Sequence, residues 1–306
     1  MTFSCSAFTI SSMERIITYQ ITPADAGKTI RDFLRGTGCS HHVLTGLKRT
    51  EHGIRLNDED AFTGCMLSGG DLLEIRILEN ASSDVPPAPV PFSIVYEDED
   101  VLVLNKPSGT PVHPSMGNHG NTLANGLALY FSEKGLPFTC RFISRLDRDT
   151  TGLLPVARHC YSAAVLSAQM AARQIRRTYL ALVKGFTPPA GTIDLPIGRK
   201  PGSIIERCVD RDGAHAVTHY RTLRHCGAFS CVELQLETGR THQIRVHMAA
   251  IGHPLLGDTL YNSDTSHPIG RQALHSWKLK FCHPITKEAM RFAAPLPDDM
   301  QRLLKL

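Results

Sequence analysis

The sequence predicts an α+β fold: a largely antiparallel mixed sheet with flanking helices, behind a small α/β module. Three observations carry this. Strand-like and helix-like stretches alternate without a βαβ repeat. A proline-rich stretch divides the chain into unequal parts. The 306 residues are 42% hydrophobic and 20% charged, enough apolar material for a packed core and too little net charge for global disorder.

In the N-terminal part, Ile16–Ile21 alternates like a strand, and Thr29–Leu34 reads as a short helix with Ile30, Phe33 and Leu34 on one face. A second helix is expected around Lys48. Gly53–Asp58 reads as a strand running into a turn, and Gly69-Gly70-Asp71 turns into a strand over Leu72–Ile77. Two helices followed by a small hairpin resemble the S4-type RNA-binding module. That likeness is degenerate, because only Lys48 and Arg49 are basic on the second helix, with Arg31 and Arg35 on the first. Otherwise these charges read as an ordinary solvated surface.

Pro86, Pro87, Pro89 and Pro91 crowd six positions, which excludes helix and central strand. The expected division is a disordered tail or misassigned start over 1–12, the S4-like module over 13–80, a linker over 81–91 and a large C-terminal domain over 92–306. In the last of these, Ile94–Tyr96 and Val101–Asn105 read as a hairpin, Asn121–Phe131 as a helix and Leu153–Ala157 as a buried strand. Tyr161–Arg173 reads as a helix and Thr178–Val183 as a strand. Val217–Leu223 and Phe229–Leu236 read as an antiparallel pair, and Thr241–Ile251 as a helix.

Nine cysteines without a CxxC pair suggest reduced thiols, and hence a cytoplasmic protein without structural zinc. No apolar run approaches the roughly 20 residues of a membrane-spanning helix. Residues 13–80 hold 8 basic and 10 acidic side chains, whereas residues 91–306 hold 25 and 18. The positive excess lies in the C-terminal part, in mild favour of a polyanionic partner over plain solubility charge.

Four segments concentrate chemistry-bearing residues. Ser144–Leu153 sets Asp147 and Asp149 among Arg145 and Arg148, before a Thr-Thr-Gly turn. A carboxylate there serves as nucleophile or base if it stays ionised, and arginines favour that form; on bare chemistry it reads as a turn with surface ion pairs. Leu236–His247 ends a strand at Gly239 and starts a helix near Thr241, whose free N–H groups suit an anion. His242 and Arg245 are neighbours on one face of that helix. Asn105-Lys106-Pro107 followed by His113 is a common loop pattern, and Arg176-Arg177-Thr178-Tyr179 opens a strand, where a tyrosine usually packs.

In this order and spacing, the strings RLDRDTTGLL (145–154) and LETGRTHQIRVH (236–247) closely resemble the RluA/RluD-type pseudouridine synthases. The resemblance covers about residues 92–295 and implies an isomerase acting on selected uridines of structured RNA, ribosomal before transfer. It implies that Asp147 is the catalytic aspartate, that Tyr179 packs against the target base, and that Arg245 pairs with the carboxylate. It also implies that Arg145 fills the gap left by the flipped nucleotide, and that Arg240, Thr241, His242 and Gln243 shape the pocket or meet the RNA backbone. Asn105, Lys106 and Pro107 match a structural motif. Ser144 stands where the family commonly has His, and Arg177 where it often has Lys, with the charge kept but the geometry changed.

Such a reaction needs a flipped base, at a cost of a few kcal/mol in stacking. It needs neither cofactor nor metal, and no Walker or dinucleotide fingerprint is present. RNA is the expected partner, with no membrane, and the chain is expected to act as a monomer. Two rivals remain: a catalytically silent RNA-binding or ribosome-assembly factor on the same fold, and a hydrolase using Asp147 with Asp149, whose spacing suits glycosidic chemistry poorly.

Overall fold

The protein is described by a computed structural model over residues 12–79, 84–115, 117–264 and 269–305. The N-terminal unit consists of β1 (Met13–Gln20), α1 (Ile30–Gly36), α2 (His41–Arg49), β2 (Ile54–Leu56), β3 (Glu59–Asp60) and β4 (Leu72–Glu79). Its strands form an antiparallel sheet in the order β1-β4-β2-β3. The helices start where Thr29 and Ser40 accept hydrogen bonds from the N–H groups of Asp32 and Val43, satisfying donors that a helix end leaves open. Alternate residues of β4, including Leu73, Ile75 and Ile77, turn inward onto Ile30, Leu34, Leu44 and Leu47.

The larger unit contains β5 (Ser93–Glu97), β6 (Val101–Lys106), α3 (Leu123–Glu133), β7 (Arg141–Phe142), β8 (Thr151–Ala157), α4 (Cys160–Ala171) and β9 (Arg176–Lys184). Next come β10 (Ala190–Asp194), β11 (Ile197–Arg199), β12 (Arg207–Val209), β13 (Val217–Cys226) and β14 (Phe229–Leu236). The chain then forms α5 (Gln243–Ala250), β15 (Leu274–Cys282), β16 (Ala289–Ala293) and α6 (Asp298–Lys305). Ten strands make one sheet, ordered β10-β13-β14-β9-β15-β8-β6-β5, with β16 beside β15 and β7 beside β8. The β15–β8 pair is parallel and the other pairs of this sheet are antiparallel, so the α+β class and the mixed, largely antiparallel sheet hold.

The hairpin over β5 and β6 and the pairing of β13 with β14 fall where the hydrophobic pattern sets them. The last helix of the motif region is shorter than expected. His242 takes a left-handed backbone (φ 57°), so α5 begins at Gln243 rather than near Thr241. Strands β15 and β16, the small strands β7 and β10 to β12, and helix α6 occupy stretches with no expected element. In β15 the buried His275 and Ser276 break the apolar pattern. Their polar atoms are satisfied by Thr151 Oγ1 and Leu153 O on the neighbouring strand β8.

Residues 1–11 and 80–83 lie outside the described residues, and with them most of the expected tail and the start of the expected linker. From 84 the proline-rich stretch lies against α3: Asn125 Nδ2 donates to Pro86 O, and Ala88 N–H to Asn125 O. Gly126 approaches Val90 O so closely that a Cβ would sit 2.6 Å from it. The two units share apolar contacts, with Tyr161 and Val165 of α4 buried in the same cluster as Ile17, Leu34 and Val43. Among the described residues, no helix is long and apolar enough to cross a membrane.

Candidate active site

Asp147 sits in the loop between β7 and β8, which lie side by side and hold its ends. The loop closes on itself through Thr150 N–H to Asp147 O (3.1 Å). Beneath it, the ammonium of Lys106 is 1% exposed and donates to three carbonyls: Pro107 (2.8 Å), Thr110 (2.7 Å) and Arg148 (2.6 Å). Lys106 therefore ties the end of β6 to the residue after Asp147. Burial pushes its pKa down to about 7, against the pull of Asp149 and Asp147; the three carbonyls favour the charged form.

The carboxylate of Asp147 meets Arg245 Nη1 at 3.3 Å and faces His242 Nε2 at 4.0 Å. Arg245 is itself held from behind. Its Nε and Nη2 donate to the two oxygens of Asp258, both at 2.7 Å, and the Asp258 carboxylate is wholly buried. Burial works against the guanidinium charge, but Asp258 and Asp147 outweigh it and raise its pKa. The paired fork leaves Nη1 to reach Asp147, so orientation comes from Asp258. Tyr261 completes the wall, its ring 5.0 Å from the Arg245 guanidinium and its hydroxyl 2.8 Å from His242 Nδ1. Burial lowers the His242 pKa, against the pull of Asp147.

The turn before α5 is shaped by Gln243. Its Oε1 accepts from Arg240 N–H and the Thr238 hydroxyl, while its Nε2 donates to Val217 O and Thr218 Oγ1. This buried amide fastens the turn to β13 and aims His242 and Arg245 at Asp147.

Asp147, Tyr179, Arg245, Arg145, Arg240 and His242 all line one open cleft of about 720 Å³. Tyr179 is buried on β9, with its neighbour Arg177 also on the cleft wall. The Nε of Arg177 is buried with no hydrogen-bond partner among the described residues. Asp149 does not line the cleft; its carboxylate pairs with the exposed Arg148, so the two acids do not share a site. Lys48 and Arg49 lie on α2, exposed and outside the cleft. Asp258 had no role in the sequence reading, whereas Gln243 was expected to shape the pocket or meet the RNA backbone. Nothing local marks Asp258, because its partner lies 13 residues away on another element.

A family model described as RNA pseudouridylate synthase matches residues 100–250. The chain is 44% identical over 279 residues to a Bacillus subtilis (strain 168) protein named "Uncharacterized RNA pseudouridine synthase YjbO", spanning 90% of this chain and 98% of that one. It is 40% identical over 264 residues to the "Ribosomal large subunit pseudouridine synthase D" of Xanthomonas campestris pv. campestris, spanning 81% and 79%. Among solved structures it resembles "Human RNA Pseudouridylate Synthase Domain Containing 1", with a TM-score of 0.56 and 30% identity over 69% of this chain and 85% of that one. The chain belongs to the RNA pseudouridine synthase family, of the RluA type, and is an isomerase acting on RNA.

Proposed function

We propose that this enzyme converts specific uridines of structured ribosomal RNA to pseudouridine, with Asp147 as the catalytic carboxylate. The observation that carries this reading is the chain of charge Asp258–Arg245–Asp147, which presents one oriented carboxylate to a cleft that Arg145, Arg177 and Arg240 also line. The relatives named for the large ribosomal subunit support ribosomal RNA as the substrate.

In the reaction the bond from ribose C1′ to uracil N1 breaks, the base turns, and C1′ bonds to C5. The C5 proton is then lost, and N1 ends protonated. A stacked uridine is unable to turn, so the base leaves the helix and enters the cleft. Tyr179 packs against it and takes the C5 proton. Arg145, exposed on the loop before Asp147, fills the vacated stack. Arg240 and His242 line the path of the target strand. Residues 13–80 act as an S4-like RNA-binding module, with Lys48 and Arg49 exposed at the end of α2 to meet phosphate.

The test is pseudouridine mapping in total RNA from a deletion strain carrying either the wild-type gene or Asp147→Asn. Sites that vanish on deletion and return with the wild type alone, while purified Asp147→Asn still binds RNA, are the expected result. An Asp147→Asn protein that restores every site removes the aspartate from the chemistry. No difference between strains, with the protein present, favours a catalytically silent RNA-binding factor.

A further inference from the structure

Outside the cleft, the end of the large sheet carries a row of cations set side by side. In the strand register Arg176 of β9 lies directly opposite Lys280 of β15, and Lys280 lies directly opposite Arg291 of β16. Lys278, two residues before Lys280, stands on the same face because side chains alternate along a strand. Arg176, Lys280 and Arg291 are exposed, and Lys278 is half-buried with its ammonium 3.4 Å from the Trp277 ring centroid. None of the four has an ion pair or side-chain hydrogen bond with a described residue.

Like charges directly opposite on neighbouring strands, about 4.8 Å apart, repel one another. Other exposed cations, such as Lys28 with Asp25, Lys134 with Glu97 and Arg221 with Glu233, each have an acid beside them. Protection of a free sheet edge explains Arg291 on the outer strand, but not Lys280, which is paired with Arg176 on one side and Arg291 on the other. A row of this kind is stabilised by a partner that brings regularly spaced negative charge.

We infer that Arg176, Lys278, Lys280 and Arg291 form a second RNA contact, holding the phosphodiester backbone of the substrate beyond the target uridine. The inference rests on the reading of the chain as a ribosomal RNA modifier. Arg176 immediately precedes Arg177 of the cleft wall, so the row lies at the same end of β9 as the cleft, on the opposite face of the sheet, where a strand of RNA leaving the cleft reaches it by passing round the sheet end. The flat, charged face offers phosphate contacts rather than base-edge readout, so it adds affinity without sequence preference.

The test compares wild type with Arg176→Gln/Lys280→Gln/Arg291→Gln, binding in vitro transcribed large-subunit ribosomal RNA and a transfer RNA transcript across a salt series. A control, Lys28→Gln/Lys134→Gln/Arg221→Gln, removes the same net charge from paired positions. Each lost phosphate contact reduces the slope of log K against log salt by about 1, so the row variant should bind with a slope shallower by about 3. The control should keep the wild-type slope, and kcat at saturating RNA should be unchanged in both. A row variant with the wild-type slope, or a control with an equal loss, overturns the second contact while leaving the enzyme reading intact. Wild type that binds neither transcript overturns the second contact and the ribosomal substrate together, a pattern distinct from loss in the variant alone.

Discussion

The seam between the two units and the cleft around Asp147 use the same residue types in opposite ways. At the seam every charge shown has a partner. Arg15 of β1 makes two hydrogen bonds to Asp100, at 2.9 and 3.0 Å, and Asp100 also meets His159 at 2.8 Å. Glu79 of β4 takes Arg141 at 2.8 Å and the N–H of Cys160 at 2.6 Å. The hydroxyls of Tyr19, Tyr161 and Thr37 form a chain with 2.6 Å links. In the cleft, by contrast, neither Arg145 nor Arg177 has an acid partner among the described residues. Charges that are already paired hold the molecule together; charges left open await an anionic ligand. The exception inside the cleft is Arg245, which is paired twice because its task is to orient a carboxylate.

The largest expected effect that sharpens this contrast comes from Asp258→Asn. The variant keeps the shape but removes the charge that fixes the Arg245 fork. Misplacement of the reacting carboxylate should lower kcat by about 10²-fold, with KM for RNA changed little because Asp258 lies behind the cleft wall. Single-turnover kinetics, with circular dichroism to confirm folding, would measure it. An unchanged kcat would mean that Arg245 is oriented by other groups.

At the seam, Asp100→Asn should cost about 3 kcal/mol of stability at neutral pH, as expected for a broken buried pair, and leave kcat nearly intact. Burial alone would raise the Asp100 pKa, but His159 and Arg15 outweigh it and hold the carboxyl well below its ordinary value. A folded-state pKa below the unfolded one stabilises the protein fully above the ordinary carboxylate range, and that share is lost as pH falls below that range towards the depressed folded value. Denaturant unfolding at pH 7 and about pH 2 should therefore show a smaller gap between variant and wild type at the lower pH. A constant gap would separate Asp100 from the acid sensitivity.

The smallest expected effect is that of Asp149→Asn. Its carboxylate pairs with a largely exposed Arg148, a contact worth under about 1 kcal/mol. Activity should stay within about threefold, since a shift under 1 kcal/mol is less than a tenfold change in rate. A loss comparable to that of Asp147→Asn would revive the two-acid hydrolase.

Deleting the N-terminal unit is a poor test of RNA binding, because it would also expose Tyr161 and Val165. Substituting Lys48 and Arg49 isolates charge from packing.

Much of the site could be read locally. Asp147, Tyr179 and Arg245 lie in compact strings, and the cleft brings all three together with Arg145, Arg240 and His242. Lys48 and Arg49 had only their charge to mark them, and they lie on another surface. Strand β15 was hidden because its buried His275 and Ser276 do not look like a central strand until β8 supplies their partners. The onset of α5 was misplaced because the left-handed conformation of His242 is a consequence of its surroundings rather than of its type.

The sequence by itself determined the α+β class, the order of the main elements and the polar strings that meet in the cleft. Periodicity and short polar strings are local properties, readable within a few residues. The tertiary structure alone decided which charges are neutralised and which stay open. Asp258 reaches Arg245 across 13 positions and Asp147 reaches it across 98. Asp100 ties β1 to the start of α4 across the seam, and Arg176 becomes the neighbour of Lys280 across 104 positions. Coulombic interactions and desolvation depend on distance in space and on burial, and neither quantity is written along the chain.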